Sequence, residues 1–224
     1  MACCVPMRRQ DLRPFPLLLA SPLLLVASLA RADDLPPPTA PAFTGVYKMA
    51  SKSKVNATDE GWQFTSEDTV TIGVDGKQAR WDYKSDGHTL LIDQAAHTNT
   101  IFGGKTPPNT AHRSKMPFVP ISWEFGYGTV AAATPEKPQV LGTTTIAGKE
   151  CTRITFNSTQ YGKPEYCVAK NGIVLRFANK SSTAEAVYEA ESIAEAAPTK
   201  ERFTVPAGYT VEERRGPNRN VQIF

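Results

Sequence analysis

Histidine is scarce in this chain, with three in 224 residues, and cysteine occurs four times, twice at positions 3 and 4. No two cysteines stand in Cys-x-x-Cys spacing, so a thioredoxin-type redox pair has no support. His88, His97 and His112 lie far in sequence from Cys151 and Cys167, whereas a zinc cage wants four soft ligands at close spacing; no metal is expected. Asp75, Asp82 and Asp86 lack the alternate-residue spacing of a calcium loop. Gly126-Tyr127-Gly128 lacks the third glycine, the preceding strand and the following helix of a dinucleotide fingerprint. There is no nucleophile elbow, and no histidine shares a motif with a serine or cysteine nucleophile. Asp82, Asp86 and His88 fall within seven residues, but Asp and Gly are what solvated turns select. Motifs therefore assign no catalytic residue and no cofactor, and an enzyme is not expected.

Long apolar runs are also missing. Leu17-Leu18-Leu19-Ala20 and Leu23-Leu24-Leu25-Val26-Ala27 are short and interrupted by Pro16 and Pro22, well under the ~20 apolar residues of a membrane span. Preceded by Arg8, Arg9 and Arg13 and followed by Ala30-Arg31-Ala32, they read as a secretory signal over residues 1–32, cleaved and not retained as an anchor. Cleavage removes four of the 25 basic residues and one of the 22 acidic ones, which leaves 21 of each. A neutral mature chain has no basic footprint for nucleic acid. The basic cluster Arg214, Arg215 and Arg219 falls in residues 212–224, expected as a flexible tail. Export implies a periplasmic or secreted protein.

Residues 33–42 contain Leu35-Pro36-Pro37-Pro38-Thr39-Ala40-Pro41, a stiff spacer with no expected packing. From Phe43 to Val211 the chain reads as one domain of short strands broken by turn residues every 8 to 12 positions, the mark of an antiparallel β architecture. Thr69 to Val74 alternates, Asp75-Gly76 supplies a tight turn, and Gln78 to Tyr83 returns. Thr89 to Asp93 and Thr98 to Phe102 continue the meander. Residues 103–120, with four prolines and two glycines, are expected as a long loop or flap. Residues 182–197 conflict internally: helix-forming composition, but strand-like alternation of Val187, Glu189 and Glu191 with Ala186, Tyr188 and Ala190.

In an exported chain with two remaining cysteines, a Cys151–Cys167 disulfide is the first reading. Pairing Cys151 to Phe156 with residues 162–167 across a five-residue loop sets Cys151 opposite Cys167. Folding at Asn171-Gly172 then sets Val168 against Leu175 and Tyr166 against Phe177. With period-two alternation, Ile154, Phe156, Tyr166, Val168, Leu175 and Phe177 share one face, and the cysteines share the other with Arg153 and Arg176.

Phe203-Thr204-Val205-Pro206-Ala207-Gly208-Tyr209 resembles the terminal "F-x-V-P-x-G-Y" signature of uncharacterised bacterial envelope proteins related to periplasmic lipoprotein carriers (LolA-like). Val70 to Arg80 is similar to that family's early hairpin ending in an arginine, Thr145 to Cys151 to its "I-A-G-x-x-C" element, and Glu165 to Gly172 to the hairpin that follows. The resemblance implies a curved antiparallel sheet of about eleven strands, a half-barrel with a short helix or loop lid, and an apolar concave face. It also implies that residues 185–193 form a strand and that Arg80 has a gating position. On that footing the candidate ligand site comprises Arg80, Met116 and Phe118 of the flap, and Ile154, Phe156, Tyr166, Val168, Leu175 and Phe177. The expected function is non-enzymatic binding of a lipid acyl chain or other hydrophobic ligand. The competing reading is an envelope protein-protein interaction module with no small-molecule ligand.

Overall fold

The computed structural model describes residues 35–37, 39–56, 58, 60–115, 137–157 and 163–214. These form one curled, open sheet of twelve strands. In chain order the strands are β1 (Phe43–Ser53), β2 (Phe64–Asp75), β3 (Gln78–Tyr83), β4 (His88–Asp93), β5 (Thr98–Gly103) and β6 (Thr110–Lys115). Then come β7 (Gln139–Ile146), β8 (Lys149–Thr155), β9 (Glu165–Ala169), β10 (Val174–Lys180), β11 (Ala184–Ala194) and β12 (Thr210–Arg214). Their spatial order is β12-β6-β5-β4-β3-β2-β1-β11-β10-β9-β8-β7. Two meanders, β2 to β6 and β7 to β11, therefore flank β1, which joins them by pairing β2 on one side and β11 on the other. Every pair is antiparallel except β12 with β6, which runs parallel. A single 3-10 helix, Lys200–Phe203, is the helical element among the described residues.

Local chemistry explains most of these strands. β1 alternates buried Phe43, Tyr47 and Met49 with exposed Lys48, Ala50 and Lys52, the period of a strand with one covered face. β11 repeats the pattern, with Ala186, Tyr188 and Ala190 buried and Glu189 and Glu191 outside. Its alternation overrides its helix-forming composition because β1 and β10 supply both hydrogen-bonding edges. Gly45 is fixed by close approach: a Cβ there would lie 2.5 Å from the Tyr47 ring and 2.7 Å from Ile193. Tyr47 lies over it, fully buried, and its hydroxyl donates to the Val174 carbonyl at 2.9 Å. Burial pushes that phenol far above its ordinary range.

Several expectations are corrected in detail. The expected loop over residues 103–120 stops early: Thr110–Lys115 is strand β6, inside the sheet, and Met116 and Phe118 lie outside the described residues. Asp75 pairs with Gln78, so the β2–β3 turn occupies Gly76 and Lys77, one residue later than read. Cys151 lies opposite Ala169, and Cys167 opposite Arg153. The β8–β9 connection is longer than five residues, since Thr155 pairs with Glu165 and the Pro164 carbonyl accepts from Phe156 N. Because the slip is by two, every side chain keeps its face. Tyr166 opposes Phe177 as read, but Val168 meets Val174, and Leu175 is absorbed in a bulge.

The proline-rich stretch before β1 does pack. Leu35 and Ala40 lie against the main core cluster, and Pro36 is buried. At Gly172, φ is +90° and a Cβ would meet the Thr39 and Pro37 carbonyl oxygens at 2.6 and 2.9 Å, so a side chain is excluded twice over. The chain end expected to be loose from residue 212 is strand through Arg214.

The β7–β8 turn supplies a testable departure from turn chemistry. Ala147 and Gly148 both have positive φ, +49° and +71°, as in a two-residue turn of type I′, a position that Asn and Gly tolerate better than Ala. Replacing Ala147 by Asn or Gly should raise stability by about 0.5–1 kcal/mol in urea titration, with an unchanged slope. A loss of stability would contradict the turn assignment.

Candidate functional site

The sheet has two chemically distinct faces. Its inner face carries one continuous buried cluster that runs from Ile101 and Leu90 through Trp81, Ile72 and Tyr47 to Tyr188, Phe177, Tyr166 and Ile154. Within it the rings form a row across the strands. Phe156 meets Tyr166 edge-on at 5.8 Å, Tyr166 meets Phe177 at 5.2 Å, Phe177 meets Tyr188 at 6.2 Å, and Tyr188 meets Trp81 edge-on at 5.9 Å. Such offsets and edges are the favoured aromatic geometries.

Six of the candidate residues are brought together here. Ile154, Phe156, Tyr166, Val168, Leu175 and Phe177 are all at most 1% exposed and belong to the same cluster. Trp81, Tyr188 and Tyr47 join them. Their membership is readable from alternation in β3, β11 and β1, where each stands at an inward position.

Arg80 is not among them. It alternates with Ala79 and Trp81, so its side chain occupies the outer face, where the segment after β11 covers β3. Its guanidinium donates to both Asp82 oxygens at 2.8 Å and to the Arg202 carbonyl at 3.0 Å, and it lies 5.7 Å from the Phe102 ring centre. Arg202 in turn donates to Asp82 Oδ2 at 2.9 Å, and the Thr89 hydroxyl donates to Asp82 Oδ1 at 2.8 Å. Below this network Leu91, Phe102 and Ala111 form a second small core with Val205 and Tyr209. The "F-x-V-P-x-G-Y" stretch is thus a strap over the outer face. Arg80 and Asp82 clamp its start, and Tyr209 packs edge-on to Phe102 at 5.4 Å.

Partial burial pushes the Asp82 carboxyl up, but hydrogen bonds from Arg80, Thr89 and Arg202 and the charge of Arg80 outweigh it and hold it below the usual carboxylate range. A group with a depressed folded value stabilises the fold above its unfolded value, and that stabilisation fades as pH falls through the folded one. Asp86 and Asp93 shift in the same direction. Stability should therefore decline below about pH 4, and Asp82→Asn should flatten that decline while lowering stability at neutral pH by about 1–2 kcal/mol. Urea midpoints measured across acid pH decide it; an unchanged acid slope in the variant would discount the network.

Among the described residues, the other titratable groups near these strands are engaged in local pairs. His88 Nδ1 lies 2.5 Å from Asp86, its ring stacked on Tyr83 at 4.0 Å. Asp82 is committed to the arginines. On the outer face Arg153 and Arg176 both reach Glu165, and Arg176 reaches Glu189, a ladder of half-exposed ion pairs. The Cys151–Cys167 disulfide is present, with both residues at most 2% exposed. No group of three or more His, Cys, Asp or Glu among the described residues is placed to hold a metal ion, and no described helix is long and apolar enough to cross a membrane.

No family model matches the chain, and no curated protein matches it. Solved structures do. An uncharacterised conserved protein from Thermus thermophilus superposes with a TM-score of 0.52 at 10% identity, over 81% of this chain and 96% of that one. That likeness shows a shared fold. Lower-scoring matches include a chain of the Pseudomonas aeruginosa MucA/MucB complex, at 14% identity and TM-score 0.47 over 76% of this chain and 58% of that one. A LolA superfamily protein from Nitrosomonas europaea scores 0.35 at 11% identity, over 78% of this chain and 94% of that one.

Proposed function

We propose that this chain is an exported, non-enzymatic binding protein of the bacterial periplasm that holds an acyl chain or another hydrophobic ligand against the inner face of its sheet. One observation carries the reading. The inner face carries a row of five rings, Phe156, Tyr166, Phe177, Tyr188 and Trp81, each at most 5% exposed. An apolar surface this continuous must be lidded or occupied in water, since soluble proteins seldom leave more than a few hundred Å² of it in one patch. Met116 and Phe118, in the connection between β6 and β7, are the proposed lid. Arg80 has no part in the ligand surface; its role is to anchor the C-terminal strap.

Protein purified from the compartment it is exported to, analysed by native mass spectrometry and solvent extraction, should retain acyl-containing molecules. An acyl-ligand panel should raise its melting temperature. Absence of both results would transfer the assignment to a protein-protein interaction module, and turnover of an ester or glycan would make it an enzyme.

A further inference from the structure

Toward the β12–β6 end of the sheet the inner face changes character. Two rows of register partners cross the sheet. One runs Ser114, Asn99, Ile92, Ala79, Val74, Phe43; the other runs His112, Ile101, Leu90, Trp81, Ile72, Gly45. Each is apolar along most of its length and becomes polar at β5 and β6. Asn99 and His112 are 4% exposed, and Ser114 is fully buried. The Ser114 hydroxyl has no hydrogen-bond partner among the described residues. An uncompensated buried hydroxyl is costly, and a bare core would favour alanine there. Asn179, another buried acceptor without a partner among the described residues, differs in lying one position from exposed Lys180 at the far end of the sheet.

The charges around this patch narrow what it can receive. Arg113 and Lys115 flank Ser114 in sequence but alternate onto the outer face, where Arg113 Nε donates to Thr100. The charged groups on this face come from β12: Glu212, the register partner of His112, whose Oε2 lies 3.3 Å from His112 Nδ1, and Arg214, the register partner of Ser114. A phosphate or free carboxylate would meet the Glu212 carboxylate beside the single Arg214 guanidinium, so the patch offers an anion no net positive charge. A neutral linkage with a carbonyl acceptor and an N–H or O–H donor would instead find a hydroxyl, an amide and an imidazole side by side.

Resting on the binding reading above, we infer that the inner face is an amphipathic site: the aromatic row takes an acyl chain, and Ser114, with Asn99 and His112, takes the chain's uncharged amide or ester linkage. The ligand class is then a neutral N-acyl or O-acyl compound, not a free fatty acid or a phosphate-headed lipid lying head-inward.

Calorimetric titration of the delipidated protein with dodecane, dodecanamide and dodecanoate, probes sharing one chain length, tests this. Dodecanamide should bind roughly tenfold more tightly than dodecane, the size of one or two well-placed hydrogen bonds, and more tightly than dodecanoate. Ser114→Ala should lose most of that preference and keep its dodecane affinity. Its melting temperature should be unchanged or higher, because the hydroxyl it removes has no partner among the described residues. Equal binding of dodecane and dodecanamide would overturn the inference, as would a dodecanoate preference or an unaltered preference in Ser114→Ala. Failure of all three probes to bind would instead remove the hydrophobic-ligand reading itself, and this site with it.

Discussion

Phe177→Ala should destabilise the protein by about 3–5 kcal/mol, enough to unfold a marginal domain. The ring is 1% exposed and central in the aromatic row, 5.2 Å from Tyr166 and 6.2 Å from Tyr188. Truncation removes the transfer free energy of the ring and leaves a void that rigid neighbours on β9 and β11 cannot close. Phe177→Leu keeps most of the volume and should lose less than half as much. Urea unfolding followed by tryptophan fluorescence reads both, since Trp81 ends the same row, two rings from Phe177. A loss under about 1 kcal/mol for the alanine variant would mean that this face is loosely packed or open, and not a closed core.

Removing both cysteines should cost about 3 kcal/mol. The disulfide joins residues 16 apart, and in the chain-entropy model a closed loop of this size restricts the unfolded chain by that amount. Replacement of both by alanine suits the site, because both are buried and alanine leaves no polar group. The measurement is the urea midpoint of the oxidised protein against the double variant, with thiol titration of the denatured, unreduced protein as its control. Two free thiols in that titration would show that the bond does not form, and a stability difference below about 0.5 kcal/mol would show that it does not act as a staple.

The two variants probe opposite faces of the same hairpins. Phe177 points inward from β10, while Cys167 on β9 and Cys151 on β8 point outward with Arg176 and Arg153. Turn residues and alternation suffice to locate this division, because hairpins are local and a register slip of two leaves faces intact. The same rule applied to Arg80 puts it outside, next to inward Ala79 and Trp81. A motif resemblance places it inside, and the alternation of its own strand is the better guide. The polar patch is half-visible in the sequence: Asn99 shares its parity with Ile101, and Ser114 shares that of His112, but nothing local tells which side of either strand is buried.

By itself the sequence determined what depends on neighbours within a few residues: the tight turns at Gly76 and Gly172, the alternating strands, the pairing of the two late cysteines and the lack of any motif for catalysis. Tertiary structure decided what depends on distant partners. β11 is a strand because β1 and β10 complete its hydrogen bonds; β12 runs parallel to β6, a pairing no hairpin signal announces; and the strap holding Val205 and Tyr209 covers the outer face because Arg80 and Asp82 capture Arg202. Turn geometry is fixed by φ preferences and side-chain period, which are local properties. Partner choice between remote segments is set by the surface each leaves uncovered, and that surface exists once the sheet has curled.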